Sequence, residues 1–474
     1  MITVPGFEGR RVAVFGLGRS GLTAARALKA GGAMPVLWDD SVSSRMQAEA
    51  EGFAVEDLTA ADWSGFAALV LSPGAPLTHP RPHWTVAKAK AAGVEVIGDI
   101  ELIARAIAAL PEGKRPRVVA ITGTNGKSTT TALIGWVLKQ AGLTVHVGGN
   151  IGIGVLALPA PTPGAVYVIE ASSYQLDLTT SFAPDVAILT NISPDHLERH
   201  GGIEGYVAAK MRIFQAQGPA ALALVGIDDP FGVNIAETLT GRAERLTLVT
   251  TAKHHHWDDW RVGFEKIGAV TAIDGKLASL GEYVCDLSIA RSLPGRHNAQ
   301  NAAFAYAAAR ALGVPRDAAV DGLLTFPGLA HRMEEVGRLG KVRFINDSKA
   351  TNADAARQAL SSYERSFWIA GGRAKQGGID DLEELFPRVV EAFLIGEAAG
   401  PFAARLGDTP HRISGDMASA VKAAAEAAAA TGRDEVVLLS PAAASFDQYP
   451  DFEARGEAFR AAVLNLGATP SGHG

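Results

Sequence analysis

An α/β protein built from three successive blocks of parallel sheet is what this sequence predicts, and three observations carry the prediction. Short apolar runs alternate with helical stretches along all 474 residues, the pattern of parallel strands covered by helices. The unusual polar residues fall just past the strand ends, where open α/β sheets bind ligands. Two glycine-rich turns, "GLGRSG" (16–21) and "GTNGKST" (123–129), each stand between a strand and a helix.

Taken in order, the first block has strands near 11–15, 34–38, 67–71 and 94–97. The second has strands near 117–121, 144–147, 165–169, 185–190, 220–225 and 246–250. The third has strands near 341–345, 366–370, 392–395 and 435–439. "ALPEGKRP" (109–116) and "FPGLAHRMEEVG" (326–337) read as the two connections. This gives an N-terminal Rossmann-like domain over 1–110, a central P-loop domain over 111–328 and a C-terminal Rossmann-like domain over 329–474, in line with the chain length. Every block carries polar strand-end segments: "GLGRSG", "DDS" and "SPGA", then "GGNIG", "EASSYQ" and "NISPDH", then "NDSKATN", "GGRAK" and "SPAAASFD". Three domains facing one central cleft is the expected arrangement.

Composition narrows the class. Lys and Arg number 44 against 50 Asp and Glu, a net charge of −6 with no long basic run, which argues against nucleic acid as the main partner. Anionic small molecules need only local positive charge and remain open. The single cysteine, Cys285, excludes an intrachain disulfide, fits a reducing cytosol and reads as core. The N-terminus runs straight into a strand, so no signal peptide is expected, and no apolar run has the length of a membrane span. "VKAAAEAAAA" (421–430) reads as an Ala-rich helix.

The segment "VVAITGTNGKSTTTALIGWVL" (118–138) has the order a polyphosphate requires. Gly123 and Gly126, with Thr124 and Asn125 between them, let backbone N–H groups crowd an anion, and the following helix points its positive end at it. Lys127 adds a point charge, and Ser128 or Thr129 can hold Mg²⁺. The strict pattern wants a glycine where Ile121 stands, so context rather than pattern carries the assignment.

"GLGRSG" (Gly16, Leu17, Gly18, Arg19, Ser20, Gly21) has the spacing of a dinucleotide loop, with Asp39 ending the next strand. No hydride-transfer site accompanies it, and such a loop holds any nucleotide diphosphate, a UDP-sugar included. Glu170 at a strand end, His196 in "NISPDHLERH" and Lys210 in "AAKMRIF" read together as metal or phosphate handling. "HHH" (254–256) reads as a solvated loop. Asn298 and Asn301 share one face of an Ala-rich helix, with N-capping the plainer role for Asn298.

These motifs, in this order over nearly the whole chain, resemble the Mur ligases of peptidoglycan synthesis. "NDSKATN" and "LSPAAASFDQYPDFEARGEAF", with "GLGRSG" and "SPG" in front, resemble the D-glutamate-adding branch most closely. The resemblance implies a cytoplasmic, monomeric ATP-dependent ligase. Its substrates would be UDP-N-acetylmuramoyl-L-alanine, D-glutamate and ATP, with no nucleic-acid or membrane partner. Gly16 to Gly21, Asp39, Asp40, Ser72, Pro73 and Gly74 would bind the UDP end, and Asn150 would touch a nucleotide phosphate or the muramoyl side. Gly123 to Thr129, with Asn298 and Asn301, would bind ATP, and Arg332 and Asp347 would reach it from the third domain. Two Mg²⁺ ions are implied, with Ser128, Glu170, His196 and Lys210 as ligands. Lys210 matches the lysine that such ligases carry as a CO₂-derived carbamate. Lys349, Thr351, Lys375, Ser445 and Phe452 would surround D-glutamate. Arg373 and Ala374 depart from the family's usual loop, and Ala443 replaces a frequent cysteine.

The chemistry behind the resemblance is simple. A carboxylate is a poor electrophile, and phosphorylation turns it into an acyl phosphate with a stable leaving group. Phosphoryl transfer needs positioning and charge neutralisation more than covalent help. Two other classes compete. An NAD(P)-dependent oxidoreductase would use "GLGRSG" and leave the phosphate loop unexplained. A P-loop switch would hydrolyse ATP without small substrates.

Overall fold

Burial explains why these segments are parallel strands. Val166–Glu170, Leu222–Gly226, Ser366–Gly371 and Glu435–Leu439 are buried at every position, as strands covered on both faces must be. The computed structural model describes residues 1–241, 245–253, 267–290, 292–375 and 377–471; the histidine run at 254–256 lies outside them. The chain forms two compact units, Met1–Asp286 with Gln300–Leu323, and Leu287–Ala299 with Leu324–Gly474.

The first unit holds two sheets. One is parallel throughout and runs, edge to edge, Ala54–Val55, Met34–Trp38, Arg11–Phe15, Phe66–Leu71, Glu95–Ile97. The chain leaves the central strand Arg11–Phe15 first to one side and later to the other. The loops after Phe15 and Leu71 therefore flank a switch point, where such sheets take ligands.

The other sheet runs Glu282–Asp286, Lys276–Ser279, Ile267–Ile273, Leu246–Thr250, Leu222–Gly226, Val186–Leu189, Arg117–Thr122, Val166–Glu170, Val145–Gly149. Arg117–Thr122 is flanked by Val186–Leu189 and Val166–Glu170, so the loops after these three strands open side by side. The two sheets share one hydrophobic core: Ala24, Leu28 and Ile103 from the first pack with Leu156, Tyr167 and Ile213 from the second. Ile2 N–H donates to the Leu156 carbonyl across that junction.

The second unit holds one sheet: His411–Gly415, Val389–Ile395, Ser366–Gly371, Glu435–Leu439, Val342–Asn346, Glu334–Leu339, Thr469–Pro470. Its first five strands are parallel and the last two join antiparallel. A small ribbon pairs Arg373 with Ala444 and Ala374 with Ala443. The positions that depart from the family pattern thus meet each other.

Several elements differ from the sequence reading. Ile267–Ile273, Lys276–Ser279 and Glu282–Asp286 form an antiparallel meander on the second sheet. Its turns are Asp274–Gly275 (φ 50° and 77°) and Leu280–Gly281 (φ 50° and 82°), two-residue turns of the kind that match strand twist. The "DG" pair between apolar runs was the available signal. Strand Glu334–Leu339 begins inside the stretch read as the second connection, because its partner Val342–Asn346 pairs it after a short turn. Asn298 is not a cap: helix Arg296–Ala311 already includes it, and its Nδ2 donates to the Pro294 carbonyl at 2.9 Å.

Candidate active site

The phosphate loop begins where strand Arg117–Thr122 ends. Gly123 has φ 143°, and a Cβ there would lie 1.9 Å from Thr190 Oγ1, so only glycine lets the loop sit against its neighbour. Gly126, at φ 79°, turns the chain into helix Lys127–Gln140, whose N-terminus follows directly on the loop. The next strand-end segment holds the loop in shape. Thr190 Oγ1 and Asn191 Nδ2 donate to the Asn125 carbonyl at 2.7 and 3.1 Å, and Asn125 N–H donates to Asn191 Oδ1 at 2.9 Å. Thr124 N–H donates to the Asn191 carbonyl, and its hydroxyl bonds to Ser193 and to the Tyr206 hydroxyl at 3.1 Å. Asn301 Oδ1 accepts from Thr130 Oγ1 at 3.0 Å and lies where a Cβ on Gly126 would fall. Asn301 is therefore at the loop. Thr190, Asn191, Ser193 and Tyr206 were not singled out from sequence; the first three had as signal their place in or beside "NISPDH", and Tyr206 had none.

Two lysines meet at one carbonyl. Lys127 Nζ donates to the Gly123 and Thr124 carbonyls at 3.0 and 2.7 Å, and Lys210 Nζ donates to the same Gly123 carbonyl at 2.7 Å. Lys210 is 1% exposed on helix Ile203–Gln215, with its Nζ 4.5 Å from the Tyr206 ring centroid. Burial, with the Lys127 charge next, pushes the Lys210 ammonium well below its usual range. The plain alternative of a salt-bridged helix lysine does not describe this residue.

Glu170 closes strand Val166–Glu170 and is 2% exposed. Its Oε1 accepts from Asn150 Nδ2 at 2.9 Å, while the buried Oε2 has no hydrogen-bond partner. An orphaned buried carboxylate oxygen fits a cation held there. The two serines beside it are occupied: Ser172 and Gln175 form a capping box on the turn Ser173–Leu176, and Ser173 Oγ bonds His200 Nε2 at 3.0 Å. His196 has φ 54°, an uncommon conformation for a non-glycine residue, and lies 3.5 Å from Asp195 and against the Tyr174 ring. Among the described residues no three His, Cys, Asp or Glu side chains are grouped to hold a metal. Mg²⁺ is well served by few protein ligands plus phosphates and waters.

The glycine loop at Gly16 is built otherwise. Asp39 carboxylate accepts from Leu17 N–H at 2.6 Å and Ser41 N–H at 2.8 Å, so this acid shapes the loop. Gly18 caps helix Arg19–Ala30, and a Cβ there would meet nothing within 4 Å. Asp40 is exposed and lies 3.8 Å from His83 Nε2. Arg19 donates to the Gly152 carbonyl at 2.9 Å, joining this loop to the Asn150 segment. Arg199 donates to the Pro73 and Gly74 carbonyls at 3.2 and 3.1 Å, joining the Ser72–Gly74 loop to the His196 turn. Arg199 was not singled out from sequence.

In the second unit, Lys349, Thr351, Lys375 and Ser445 follow three neighbouring strands, and Phe452 opens helix Phe452–Asn465. Lys349 Nζ stands 3.7 Å over the Phe452 ring. Ser445 is buried and Lys375 exposed. Asp347 accepts from Ser440 Oγ at 3.0 Å and Met333 N–H at 3.2 Å, and burial raises its carboxyl to about 7. Arg332 is flanked by His331 and Met333, both at positive φ.

A glycine-loop sheet fused to a phosphate-loop sheet, with a further α/β unit, defines a nucleotide-using α/β protein of several domains. The Mur ligase middle domain matches residues 121–309, and the Mur ligase glutamate ligase domain matches 331–443. A UDP-N-acetylmuramoylalanine–D-glutamate ligase of Caulobacter sp. is 62% identical, covering 98% of each chain. Like-named proteins of Caulobacter vibrioides and Nitrobacter hamburgensis are 61% and 52% identical, each over 99% of this chain. Among solved structures, UDP-N-acetylmuramate–alanine ligase from Thermotoga maritima shares the fold at a TM-score of 0.56 and 16% identity, covering 96% of this chain and 99% of its own. A pseudomurein peptide ligase from Methanothermus fervidus does so at 0.53 and 19%, covering 97% and 100%. The chain belongs to the Mur ligase family, in its group of UDP-N-acetylmuramoylalanine–D-glutamate ligases.

Proposed function

We propose that the protein joins D-glutamate to UDP-N-acetylmuramoyl-L-alanine, at the expense of ATP, through an acyl phosphate. The single observation that carries the site assignment is the set of ionisable groups around one loop: half-buried Lys127 and buried Lys210 on the Gly123 carbonyl, and buried Glu170 with an orphaned oxygen.

In this reading the loop Gly123–Thr129 and the N-terminus of helix Lys127–Gln140 grip the ATP phosphates. Lys127 leaves its two carbonyls to follow the transferred phosphoryl group, where its charge offsets the charge that develops. The substrate carboxylate attacks the γ-phosphorus and ADP departs. The D-glutamate amine then attacks the acyl carbon, and inorganic phosphate leaves. Ser128, Glu170, His196 and Lys210 would hold Mg²⁺, which supplies neutralisation of phosphate charge when bound.

Lys210 deepens the fit. A buried neutral amine adds to CO₂, releasing one proton and giving a carbamate, so a repelled cation becomes an anionic oxygen ligand. Its depressed ammonium makes that amine available. Gly16 to Gly21, Ser72 to Gly74, Asp40 and Asn150 serve the UDP substrate, with Asp39 acting through the loop it shapes. Asn298, Asn301, Arg332 and Asp347 serve ATP. Lys349, Thr351, Lys375, Ser445 and Phe452 serve D-glutamate, whose two carboxylates call for cations and donors. The division into domains at 110 and 328 belongs to the same reading, as do action as a monomer and a cytoplasmic site, where ATP and a UDP-linked precursor are both at hand.

The test supplies ATP and UDP-N-acetylmuramoyl-L-alanine with each candidate amino acid in turn, reading phosphate release and product mass. D-Glutamate alone should give both. Product with another amino acid, or ATP hydrolysis without any, would sink the assignment.

A further inference from the structure

We infer that Arg455 is the positioning residue of the amino-acid pocket: it ties together the three strand ends that carry the pocket's polar groups and brings to them a buried positive charge whose hydrogen-bond partners are all neutral. The inference rests on the ligase reading above. Arg455 lies on helix Phe452–Asn465 and is 1% exposed. Its Nε donates to Ser348 Oγ at 3.0 Å, and Nη2 donates to the Ser348 carbonyl at 2.7 Å. Nη1 donates to the Ala443 carbonyl at 2.9 Å and, at the longer distance of 3.5 Å, to the Gly371 carbonyl. Ser348 follows strand Val342–Asn346, Gly371 ends strand Ser366–Gly371, and Ala443 follows strand Glu435–Leu439. Lys349 and Thr351 follow the first, Lys375 the second and Ser445 the third. Ser348 Oγ in turn donates to the Phe452 carbonyl at 2.8 Å, which draws in the start of the helix. One guanidinium therefore reaches every segment that carries a residue assigned to D-glutamate.

The choice of partners is the informative part. A buried guanidinium that serves only the fold is ordinarily matched by a carboxylate, because an unpaired buried charge is costly. Here the acceptors are three carbonyls and a hydroxyl, and Asp447 and Asp347 act on Arg455 only through space. Neutral acceptors satisfy the N–H groups and leave the charge in place. The fork geometry matters too, since a lysine ammonium cannot reach three separate loops in one plane. The packing is made for it. Gly372 sits at φ 127°, and a Cβ there would fall 2.3 Å from the Ala444 carbonyl and 3.1 Å from Arg455 Nη1. A doubly anionic amino acid gains from a buried positive charge that no described carboxylate pairs with by hydrogen bond, because charges interact more strongly away from water.

Two variants of the full-length enzyme test this, Arg455→Met and Arg455→Lys. The readouts are KM for D-glutamate, ATP and UDP-N-acetylmuramoyl-L-alanine, and the acyl phosphate trapped by borohydride without D-glutamate. Arg455→Met should raise KM for D-glutamate ~30-fold or more, with the trapped acyl phosphate and the other two KM values within about 3-fold of wild type. Arg455→Lys should recover part of that loss, since charge returns without the fork. An unchanged KM for D-glutamate, or an equal loss for all three substrates, overturns the inference. Should Arg455→Met fail to fold, Ser348→Ala removes one arm of the clamp without leaving an unpaired charge. It should raise KM for D-glutamate about 3- to 10-fold, and a folded Ser348→Ala with wild-type KM values also overturns it. A wild-type enzyme that forms no product from D-glutamate would instead sink the ligase reading, before any variant is made.

Discussion

The two glycine-rich loops of the first unit start alike, each between a parallel strand and a helix, and are completed in opposite ways. The loop at Gly16 is held by an acid, since Asp39 takes the Leu17 N–H for itself. The loop at Gly123 is held by neutral groups, Thr190 and Asn191, and is surrounded by two lysines and a glutamate with a spare oxygen. In the proposed reading the difference separates binding from chemistry. A carboxylate beside the first loop shapes the backbone but supplies no positive charge to offset charge that develops in a reaction, so that loop can position a ligand without driving phosphoryl transfer. At the second loop the two lysines donate to backbone carbonyls, which leave their positive charge available to offset charge that moves during a reaction. Arg19 and Arg199 join loops of the first sheet to those of the second through the Gly152, Pro73 and Gly74 carbonyls.

The comparison can be broken most severely at Lys127. Lys127→Ala should lower kcat ~10³-fold by removing a charge that follows the transferred phosphoryl group. UDP-substrate binding, measured by calorimetry, should stay near wild type. Near-normal turnover would show that the two loops do not differ in this way.

Lys210→Ala should cost ~10²-fold or more in kcat, for loss of a ligand near the same phosphates. Acetate should restore part of the activity by supplying oxygens to the vacated space, while small amines should not. Rescue by amines and not by acids would return Lys210 to a role as a cation.

Removing Mg²⁺ with a chelator should abolish acyl phosphate formation and leave UDP-substrate affinity within about 3-fold, because the proposed reading assigns Mg²⁺ to the second loop and not to the first. An equal loss at both loops would contradict the division of roles.

The mildest change is Asp39→Asn. It weakens one or two backbone hydrogen bonds worth about 1 kcal/mol each, so the UDP-substrate Kd should rise about 5- to 10-fold with kcat unchanged. A fall in kcat would mean that the first loop is coupled to the chemistry.

Much of this was legible in the chain. Parallel strands declare themselves as short apolar runs, and Val166–Glu170 or Glu435–Leu439 needed no tertiary information. The strands at 267–286 did not declare themselves so, because their half-buried faces carry mixed residues and only the "DG" turn marks them. Lys127 and Glu170 were visible as strand-end residues, and Asn301 as a helix-face residue. Thr190, Asn191, Arg199 and Arg455 were not. Each is an ordinary residue whose role comes from distant partners: Arg199 from a carbonyl 125 residues away, Arg455 from one 107 residues away.

The sequence by itself determined the fold class, the strand order within each block's local pattern and the residues at strand ends. These depend on periodicity and on backbone rules that act over a few residues. The tertiary structure alone decided which buried polar groups are satisfied and which are left waiting. Lys127 and Lys210 share a carbonyl, Glu170 keeps one oxygen bare, and Arg455 has neutral partners only because segments far apart in sequence close around them. Burial is a property of that closure, and burial is what turns an ordinary lysine, glutamate or arginine into a reactive or directing charge.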